Sequence, residues 1–253
     1  MECTHERYVP FGDTRRFLDV YANLLDGYST LPQRTPEWFA LRSNKVSGSK
    51  LSALLFFRSN AERRQHLMEM IGQVPRAPLD ARGKQNVAWG LEHEKDAIAW
   101  LLDRVPDMLV FDAGFQPSTD PQTPWLGSSP DGLVYAPTLN GHELAVLECK
   151  CACKRGADGK TIAYSVVPYY YIAQCYWHMH TTRRPCKLCV FVCYAESGSR
   201  AWRVEWDDDV WLVILDLVVL FLAGEATWGE YRERAKAAAA VMRDAAAAAK
   251  PLV

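Results

Sequence analysis

The sequence has no marked excess of either charge and no apolar run near its start. Lysine and arginine together number 29 against 30 aspartates and glutamates, so the formal net charge is −1. A strongly basic surface overall is therefore excluded, and binding to nucleic acid would need a local basic patch. Residues 1–7 lack the apolar stretch of a secretory signal. We expect a protein that is not secreted.

Long apolar runs and a disulfide framework are lacking as well. The longest apolar stretch, residues 210–223, contains Asp216 and is too short to cross a bilayer, which predicts a buried helix. Eight cysteines without a secretory signal indicate reduced thiols. These absences predict an intracellular protein with no membrane association, in the nucleus or cytoplasm of the host cell if the protein is viral.

The apolar content is high enough for a packed core. Hydrophobic residues make up 49% of the chain, with nine tryptophans and eleven tyrosines, which excludes a disordered chain. Helical patterns and short strand patterns alternate, and we find no internal repeat. This predicts an α/β (α+β) fold, a mixed β-sheet flanked by helices, at residues 35–224. An N-terminal arm at 1–34 and a C-terminal helical tail at 225–253 complete the expected organisation.

Cap signals predict two helices near the start of the central domain. Thr35 and Pro36 begin a helix that should end near residue 42. Ser47 begins a second helix, with its hydroxyl as the expected cap. Residues 58–84 are polar and basic and contain two prolines, so we expect a mobile or DNA-facing loop there.

Apolar periodicity predicts further helices at residues 90–104 and 168–182, and a loose period indicates a short helix at 15–25 in the arm. Residues 235–250 are rich in alanine and have little apolar bulk to bury, so we expect only a marginal, peripheral helix there. Short strands are predicted at 109–116, 132–135, 143–150, 187–195 and 201–205.

Two carboxylates lie at matching ends of two predicted strands. Asp131 precedes the first strand, and Glu148 lies near the end of the second. Antiparallel pairing across the Asn140-Gly141 turn would bring the two side chains together. Two hard oxygen ligands at one end of a sheet are what Mg²⁺ takes, with water completing its shell. The sequence therefore predicts a magnesium site.

Lys150 supplies the third part of this pattern. Alternation along a strand puts Glu148 and Lys150 on one face and Cys149 on the other. A lysine beside a metal-bound water can orient that water, help deprotonate it, or neutralise charge on a phosphate. The alternative is a turn aspartate and an ordinary exposed strand face. Against it, the Glu148–Lys150 pair follows an apolar strand, where burying charge without a function is costly.

These motifs resemble the PD-(D/E)XK nuclease superfamily and, within it, the phage-lambda-type exonucleases, also called YqaJ-like viral recombinases. The resemblance covers about residues 36–222. In chain order the matching segments are Glu37-Trp38, Leu41-Arg42, Val46-Ser47-Gly48-Ser49, Ala88-Trp89-Gly90, Glu94-Lys95-Asp96-Ala97, Ser129-Pro130-Asp131-Gly132-Leu133, Leu147-Glu148-Cys149-Lys150-Cys151 and Tyr171-Ile172-Ala173-Gln174.

The resemblance implies a restriction-endonuclease-like core and a role for each matching residue. The implied catalytic residues are Asp131, Glu148, Lys150, Glu94 and Gln174. The implied metal ligands are Asp131, Glu148, the backbone carbonyl of Cys149, and Glu94 as a supporting carboxylate. Glu92 and His93 are rivals for the place of Glu94. Gln174 would orient the substrate or the attacking water.

A second implied group would bind the 5′-phosphate of a DNA end. Its members are Arg42, Ser47, Ser49 and Ser129. A guanidinium binds phosphate through two parallel hydrogen bonds, and hydroxyls at a helix start complete an anion site. The implied activity is Mg²⁺-dependent digestion of linear double-stranded DNA from 5′ to 3′, with Mn²⁺ able to substitute. A single-strand annealing protein and a ring-shaped trimer are also implied.

Two other functions remain open. Cys186, Cys189 and Cys193 could hold a metal cluster, as in a Cas4/RecB-type single-strand or structure-specific nuclease, although buried free thiols explain them better. A non-catalytic DNA-end-binding scaffold for recombination is the alternative from a different class. His178 and His180 follow Gln174 on the same predicted helix and could line the site, although ordinary helix-surface positions explain them better.

Overall fold

The computed structural model describes residues 5–9, 31, 33–43, 45–75, 77–138, 141–182 and 186–253. The strands in these ranges are β1 (Tyr8–Val9), β2 (Val46–Ser47), β3 (Leu109–Phe111), β4 (Gln116–Pro117), β5 (Leu126–Ser128), β6 (Gly132–Thr138), β7 (Gly141–Cys151), β8 (Leu188–Tyr194), β9 (Arg200–Glu205) and β10 (Lys250–Pro251). Seven of them form one sheet in the order β1-β3-β6-β7-β8-β9-β10, and the other three form a small sheet in the order β2-β5-β4.

The helices of the described ranges lie between these strands. They are α1 (Pro36–Arg42), a 3₁₀ helix (Gly48–Leu55), α2 (Asn60–Met70), α3 (Ala81–Arg104), α4 (Tyr169–Thr181), α5 (Asp208–Ala223) and α6 (Trp228–Ala248). Thr35 caps α1 by accepting a hydrogen bond from the backbone of Trp38, as predicted. Asp207 caps α5, and Gly224 ends it in the left-handed conformation that glycine adopts without strain.

The large sheet is mixed, as predicted. β6 and β7 are antiparallel, β7 and β8 are parallel, and β8 and β9 are antiparallel. Side chains alternate between the two faces of each strand, so each face has its own core. Leu147 and Val190 pack with α3 on one face, whereas Val146 and Phe191 pack with α4 on the other. The expected α/β architecture, a mixed sheet flanked by helices, is confirmed.

The expected loop at residues 58–84 is wrong, because α2 forms within it and α3 begins at Ala81. Ser59 caps α2, and Asp80 caps α3. Arg63 is only 3% exposed and donates a hydrogen bond to the carbonyl oxygen of Ala226 at 2.8 Å, which fixes α2 to the body of the protein. Composition alone does not distinguish a basic side chain that packs over aromatic residues from one that is exposed on the surface.

The expected hydroxyl cap at Ser47 is also wrong. The helix that follows Ser47 is a 3₁₀ helix, and the Ser47 side chain makes no cap hydrogen bond. Its hydroxyl instead accepts a hydrogen bond from Arg42 at 3.1 Å. The predicted strand 109–116 is likewise two separate strands, β3 and β4.

The sequence predicted a marginal, peripheral C-terminal helix, and this prediction is wrong. α6 packs against α4 and α5, and both Tyr231 and Met242 are 1% exposed. Its alanines allow this close approach, since small side chains bring helix axes together. Residues 15–25, where we predicted a short helix, and Asn140 of the predicted turn lie outside the described residues. Within those residues, no helix is long and apolar enough to cross a membrane.

Gly127 in β5 leaves room for the buried ring of Phe115, which is 1% exposed. A methyl group at residue 127 would overlap that ring, so we expect Gly127→Ala to lower the free energy of unfolding by about 1–3 kcal/mol. Urea denaturation measures the change. Gly229→Ala is the control, because a methyl group there meets no atom within 4 Å. Equal stability of both variants and the wild type would contradict this packing.

Candidate active site

A cavity of about 650 Å³ opens where β6 begins and β7 ends. Every site residue predicted from the sequence lines this cavity: Asp131, Glu148, Cys149, Lys150, Glu94, Gln174, Arg42, Ser47, Ser49 and Ser129. The rivals Glu92 and His93 are not among its lining residues. The structure therefore brings together side chains from α1, β2, the 3₁₀ helix, α3, β7 and α4 and from the segment just before β6.

The register between β6 and β7 places Asp131 beside Glu148. Gly132 pairs with Leu147, so Asp131, one residue earlier, lies opposite Glu148. The Asp131 backbone donates a hydrogen bond to the Leu147 carbonyl at 3.0 Å. Its Oδ2 accepts one from the Cys149 backbone N–H at 2.7 Å. The predicted antiparallel meeting of the two carboxylates is present.

The backbone of Cys149 faces Asp131 as well. In a strand, the N–H and C=O of one residue point to the same side. Because the Cys149 N–H points to Asp131, its carbonyl also points to that side, where β6 has not yet begun. A carboxylate and a backbone carbonyl thus lie next to each other at the floor of the cavity.

Glu148 is the most enclosed of these groups, at 1% exposure. Lys150 forms an ion pair with its Oε1. His178 Nε2 lies 2.8 Å from its Oε2. Cys149 belongs to the core on the opposite face of the sheet, so the predicted alternation of Glu148 and Lys150 against Cys149 holds. The sequence left two interpretations open for His178, and the favoured one, a helix-surface position, is wrong because the residue is 2% exposed. It lies one helical turn after Gln174 and therefore on the same face of α4.

The charges in the cavity are unbalanced. Burial, followed by repulsion from Glu148 and Glu94, raises the pKa of Asp131 well above its usual value. Burial also raises the pKa of Glu94. Burial alone would raise the pKa of Glu148, but Lys150 and His178 outweigh it and lower that pKa. Burial would lower the pKa of Lys150, but the nearby carboxylates raise it.

This donor set fits a hard divalent cation. Glu148 and Glu94 raise the pKa of Asp131, Glu148 raises that of Glu94, and a bound cation would remove these penalties. Carboxylate and carbonyl oxygens are the ligands of Mg²⁺, which keeps several waters. Among the described residues, no group of three or more histidine, cysteine, aspartate or glutamate side chains is arranged as a complete metal site. Any cation here would therefore take its remaining ligands from the backbone and from water.

Arg42, Ser47, Ser49, Ser129 and Trp38 also line the cavity, and we call this group the anion-binding corner after the role expected from the sequence. Arg42 donates a hydrogen bond to the Ser47 hydroxyl at 3.1 Å, and that hydroxyl lies 3.4 Å from the Ser49 hydroxyl. Trp38 Nε1 donates to the Ser129 hydroxyl at 2.9 Å, and the Arg42 guanidinium lies 4.1 Å from the centre of the Trp38 ring. Trp38 belongs to the Glu37-Trp38 motif, but the sequence did not predict that its ring and Nε1 fix the corner.

Gly48 explains how the 3₁₀ helix reaches this corner. A methyl group at residue 48 would lie 3.3 Å from side-chain atoms of both Gln174 and Trp177. The absence of a side chain therefore lets the 3₁₀ helix pack closely on α4, which sets the distance between the anion-binding corner and the carboxylates.

The remaining candidates lie away from the cavity. Cys186, Cys189 and Cys193 are buried free thiols. Burial raises the pKa of Cys189 well above its usual value, which makes it a poor thiolate. The His180 ring stacks on Trp211 with ring centres 4.1 Å apart. None of these four residues lines the cavity.

The raised pKa of Asp131 predicts that this residue destabilises the protein when no cation is bound. A raised pKa means that the folded state binds the proton more tightly, so stability falls as the pH rises from about 4 through the folded-state pKa. Asparagine carries no charge and can still accept the Cys149 hydrogen bond. We therefore expect Asp131→Asn to raise the free energy of unfolding by on the order of 1 kcal/mol at pH 8.

Urea denaturation in EDTA between pH 5 and pH 8 measures this effect, and the difference should narrow as the pH falls. Asp216→Asn is the control, because Asp216 is an exposed aspartate of α5 that pairs with Arg234 at 3.6 Å. A variant at Asp131 that is less stable than the wild type at pH 8 would contradict the proposed repulsion.

Comparisons with known proteins agree with this geometry. The YqaJ-like viral recombinase domain matches residues 37–185, more than half of the chain. The crystal structure of an alkaline exonuclease, LHK-Exo from Laribacter hongkongensis, is 25% identical, with a TM-score of 0.53 over 84% of this chain and 99% of that one. LHK-Exo in complex with dAMP matches at 24% identity, with the same TM-score and coverage. No curated protein sequence matches the chain.

The family match begins in α1 and runs through the anion-binding corner, α3, β6, β7 and α4, and so includes all the cavity residues predicted from the sequence. The structural likeness covers 84% of the chain and supports a restriction-endonuclease-like core. The chain belongs to the YqaJ-like viral recombinase family.

Proposed function

We propose that this protein is a Mg²⁺-dependent exonuclease that digests linear double-stranded DNA from its 5′ end and releases mononucleotides. One observation carries the proposal: a carboxylate and lysine centre and an anion-binding corner line the same cavity. The volume of that cavity falls in the range of about 300–1,000 Å³ that is typical of small-ligand sites. Membership of the family and the likeness to an alkaline exonuclease support nuclease activity.

Asp131, Glu148 and the Cys149 carbonyl are the groups that would hold Mg²⁺, with Glu94 in support. The ion, when bound, would lower the pKa of a water and stabilise charge on the phosphate oxygens. Asp131 is fixed by the hydrogen bond from Cys149 at 2.7 Å, and Glu148 by Lys150 and His178. Manganese, which also prefers oxygen ligands, is expected to substitute.

Lys150 acts as a cation in this proposal. Because its pKa is raised, its ammonium group remains protonated at neutral pH. It can therefore donate hydrogen bonds to the attacking water or to a phosphate oxygen and neutralise the charge that develops in the transition state. The ion pair of Lys150 with Glu148 supports this electrostatic role. Gln174, on the adjacent wall, can hydrogen-bond the substrate.

The anion-binding corner gives the proposed polarity. A guanidinium and several hydroxyls that face a cavity are suited to a terminal phosphate, which carries more negative charge than a phosphate inside the chain. A 5′-phosphate held by Arg42 would place the next phosphodiester toward Asp131 and Glu148. Cleavage there releases one nucleotide at a time. The dAMP bound in the structure of the Laribacter relative is a mononucleotide of this kind.

Substitutions in the carboxylate and lysine centre test the activity itself. We expect Glu148→Gln and Lys150→Met each to reduce digestion of linear duplex DNA in Mg²⁺ by at least about 100-fold, because each removes a charge that acts on the transition state. Glu143→Gln is the matched control: Glu143 lies on the same strand, but pairs with Arg203 at 2.8 Å outside the cavity.

Release of acid-soluble nucleotides measures these rates. A wild-type protein that binds DNA ends without degrading them would overturn the enzyme and favour the recombination scaffold. Faster digestion of single-stranded than of double-stranded DNA would overturn the proposed substrate.

Arg42→Gln tests the anion-binding corner. The wild type should digest 5′-phosphorylated ends faster than 5′-hydroxyl ends, and the variant should lose about tenfold on the phosphorylated substrate only, since one charge-assisted contact is worth about 1.5–3 kcal/mol. Arg104→Gln is the control, because Arg104 also lies over a tryptophan ring, that of Trp100 at 4.5 Å, but not in the cavity. Equal rates on both ends in the wild type would remove the phosphate role and leave the nuclease.

A further inference from the structure

A buried histidine contacts the central carboxylate from the side of α4. His178 is 2% exposed, and its Nε2 lies 2.8 Å from Glu148 Oε2. Its other ring nitrogen, Nδ1, is buried and has no hydrogen-bond partner among the residues that the structure describes. No other step of the proposed reaction uses this residue.

The surroundings of the two ring nitrogens decide which of them carries the proton. A protonated Nδ1 would leave a buried N–H without an acceptor, which is destabilising. A bare Nε2 would place its lone pair against a carboxylate oxygen. A ring that carries its proton on Nε2 avoids both penalties. His178 therefore donates a hydrogen bond from Nε2 to Glu148 Oε2.

We propose that His178 is a positioning residue that holds Glu148 ready to bind a divalent cation. This inference rests on the proposed function, since Glu148 is one of the groups that would hold Mg²⁺. A glutamate has three rotatable side-chain bonds, and ordering such a side chain costs conformational entropy. His178 holds one carboxylate oxygen of Glu148 and Lys150 holds the other. The Glu148 side chain is therefore already ordered before the cation binds.

The same contact ties α4 to β7. Gln174 lies one turn before His178, and its side-chain nitrogen lies 3.3 Å from the same Nε2. When His178 carries its proton on Nε2, this nitrogen and the side-chain nitrogen of Gln174 are both donors and cannot bond to each other. His178 therefore donates to Glu148, which is the shorter contact. The amide of Gln174 keeps its hydrogen-bonding capacity for the cavity that it lines. His178 thus fixes Glu148 and leaves Gln174 available to the substrate.

Two amide substitutions separate positioning from packing. The side-chain nitrogen of glutamine can reach the place of His178 Nε2, whereas that of asparagine is one methylene shorter and cannot. Both variants bury a similar polar group, so a purely structural role would affect them alike. We expect His178→Asn to weaken Mn²⁺ binding by about 10–100-fold, the usual effect of removing a partner of a metal ligand. His178→Gln should stay within about threefold of the wild type.

Calorimetric titration of Mn²⁺ into the full-length protein without DNA gives these affinities, and thermal unfolding in EDTA checks that each variant is folded. His180→Asn is the control, because His180 lies on the same helix but stacks on Trp211 outside the cavity. The nuclease assay adds a second readout: His178→Asn should need more Mn²⁺ for half-maximal rate and approach the wild-type rate at saturating Mn²⁺.

The outcomes distinguish this inference from the proposed function. If the wild type binds no Mn²⁺, the metal site itself fails. If the wild type binds Mn²⁺ and both His178 variants bind it equally well, only the role of His178 fails. Equal weakening in both variants overturns positioning by hydrogen bonding in favour of packing. If His178→Asn does not fold, the glutamine variant decides, and a loss of more than tenfold there overturns the inference.

Discussion

Three carboxylates that share one partly closed cavity repel one another, and the surrounding structure compensates for that repulsion only in part. Glu148 is balanced by Lys150 and His178, whereas Asp131 and Glu94 keep raised pKa values. This repulsion is the physical basis of the cation site that we propose. It also explains why rigid elements supply the groups: a flexible loop would relax and let the carboxylates separate.

The centre of the site could be predicted because it depends on local rules. Alternation along β7 separates Glu148 and Lys150 from Cys149, and the antiparallel register of β6 and β7, which are close in sequence, brings Asp131 to Glu148. Both rules act within about twenty residues of chain. The resemblance to a family added the more distant Glu94, Gln174 and Arg42, which no local pattern could have joined.

What could not be predicted depends on tertiary packing. Serine is a common helix cap, but the Ser47 hydroxyl accepts a hydrogen bond from Arg42 instead. From the sequence, Arg63 is expected on the surface. In the structure it contacts Ala226 and the Tyr231 ring, two residues that are distant along the chain. α6 has little apolar bulk in its sequence, yet its alanines fit closely against α4 and α5. His178 belongs to this class, since only the position of α4 over β7 reveals its contact with Glu148.

The most direct test of the central claim is to identify the first products from a linear duplex that carries a radioactive phosphate at either its 5′ or its 3′ ends. The protein is incubated with each substrate in Mg²⁺, and the early products are separated by size. The account predicts that the 5′ label appears at once as a mononucleotide, while the 3′ label stays in long single strands. Early release of the 3′ label, or of labelled oligonucleotides from either end, would contradict it.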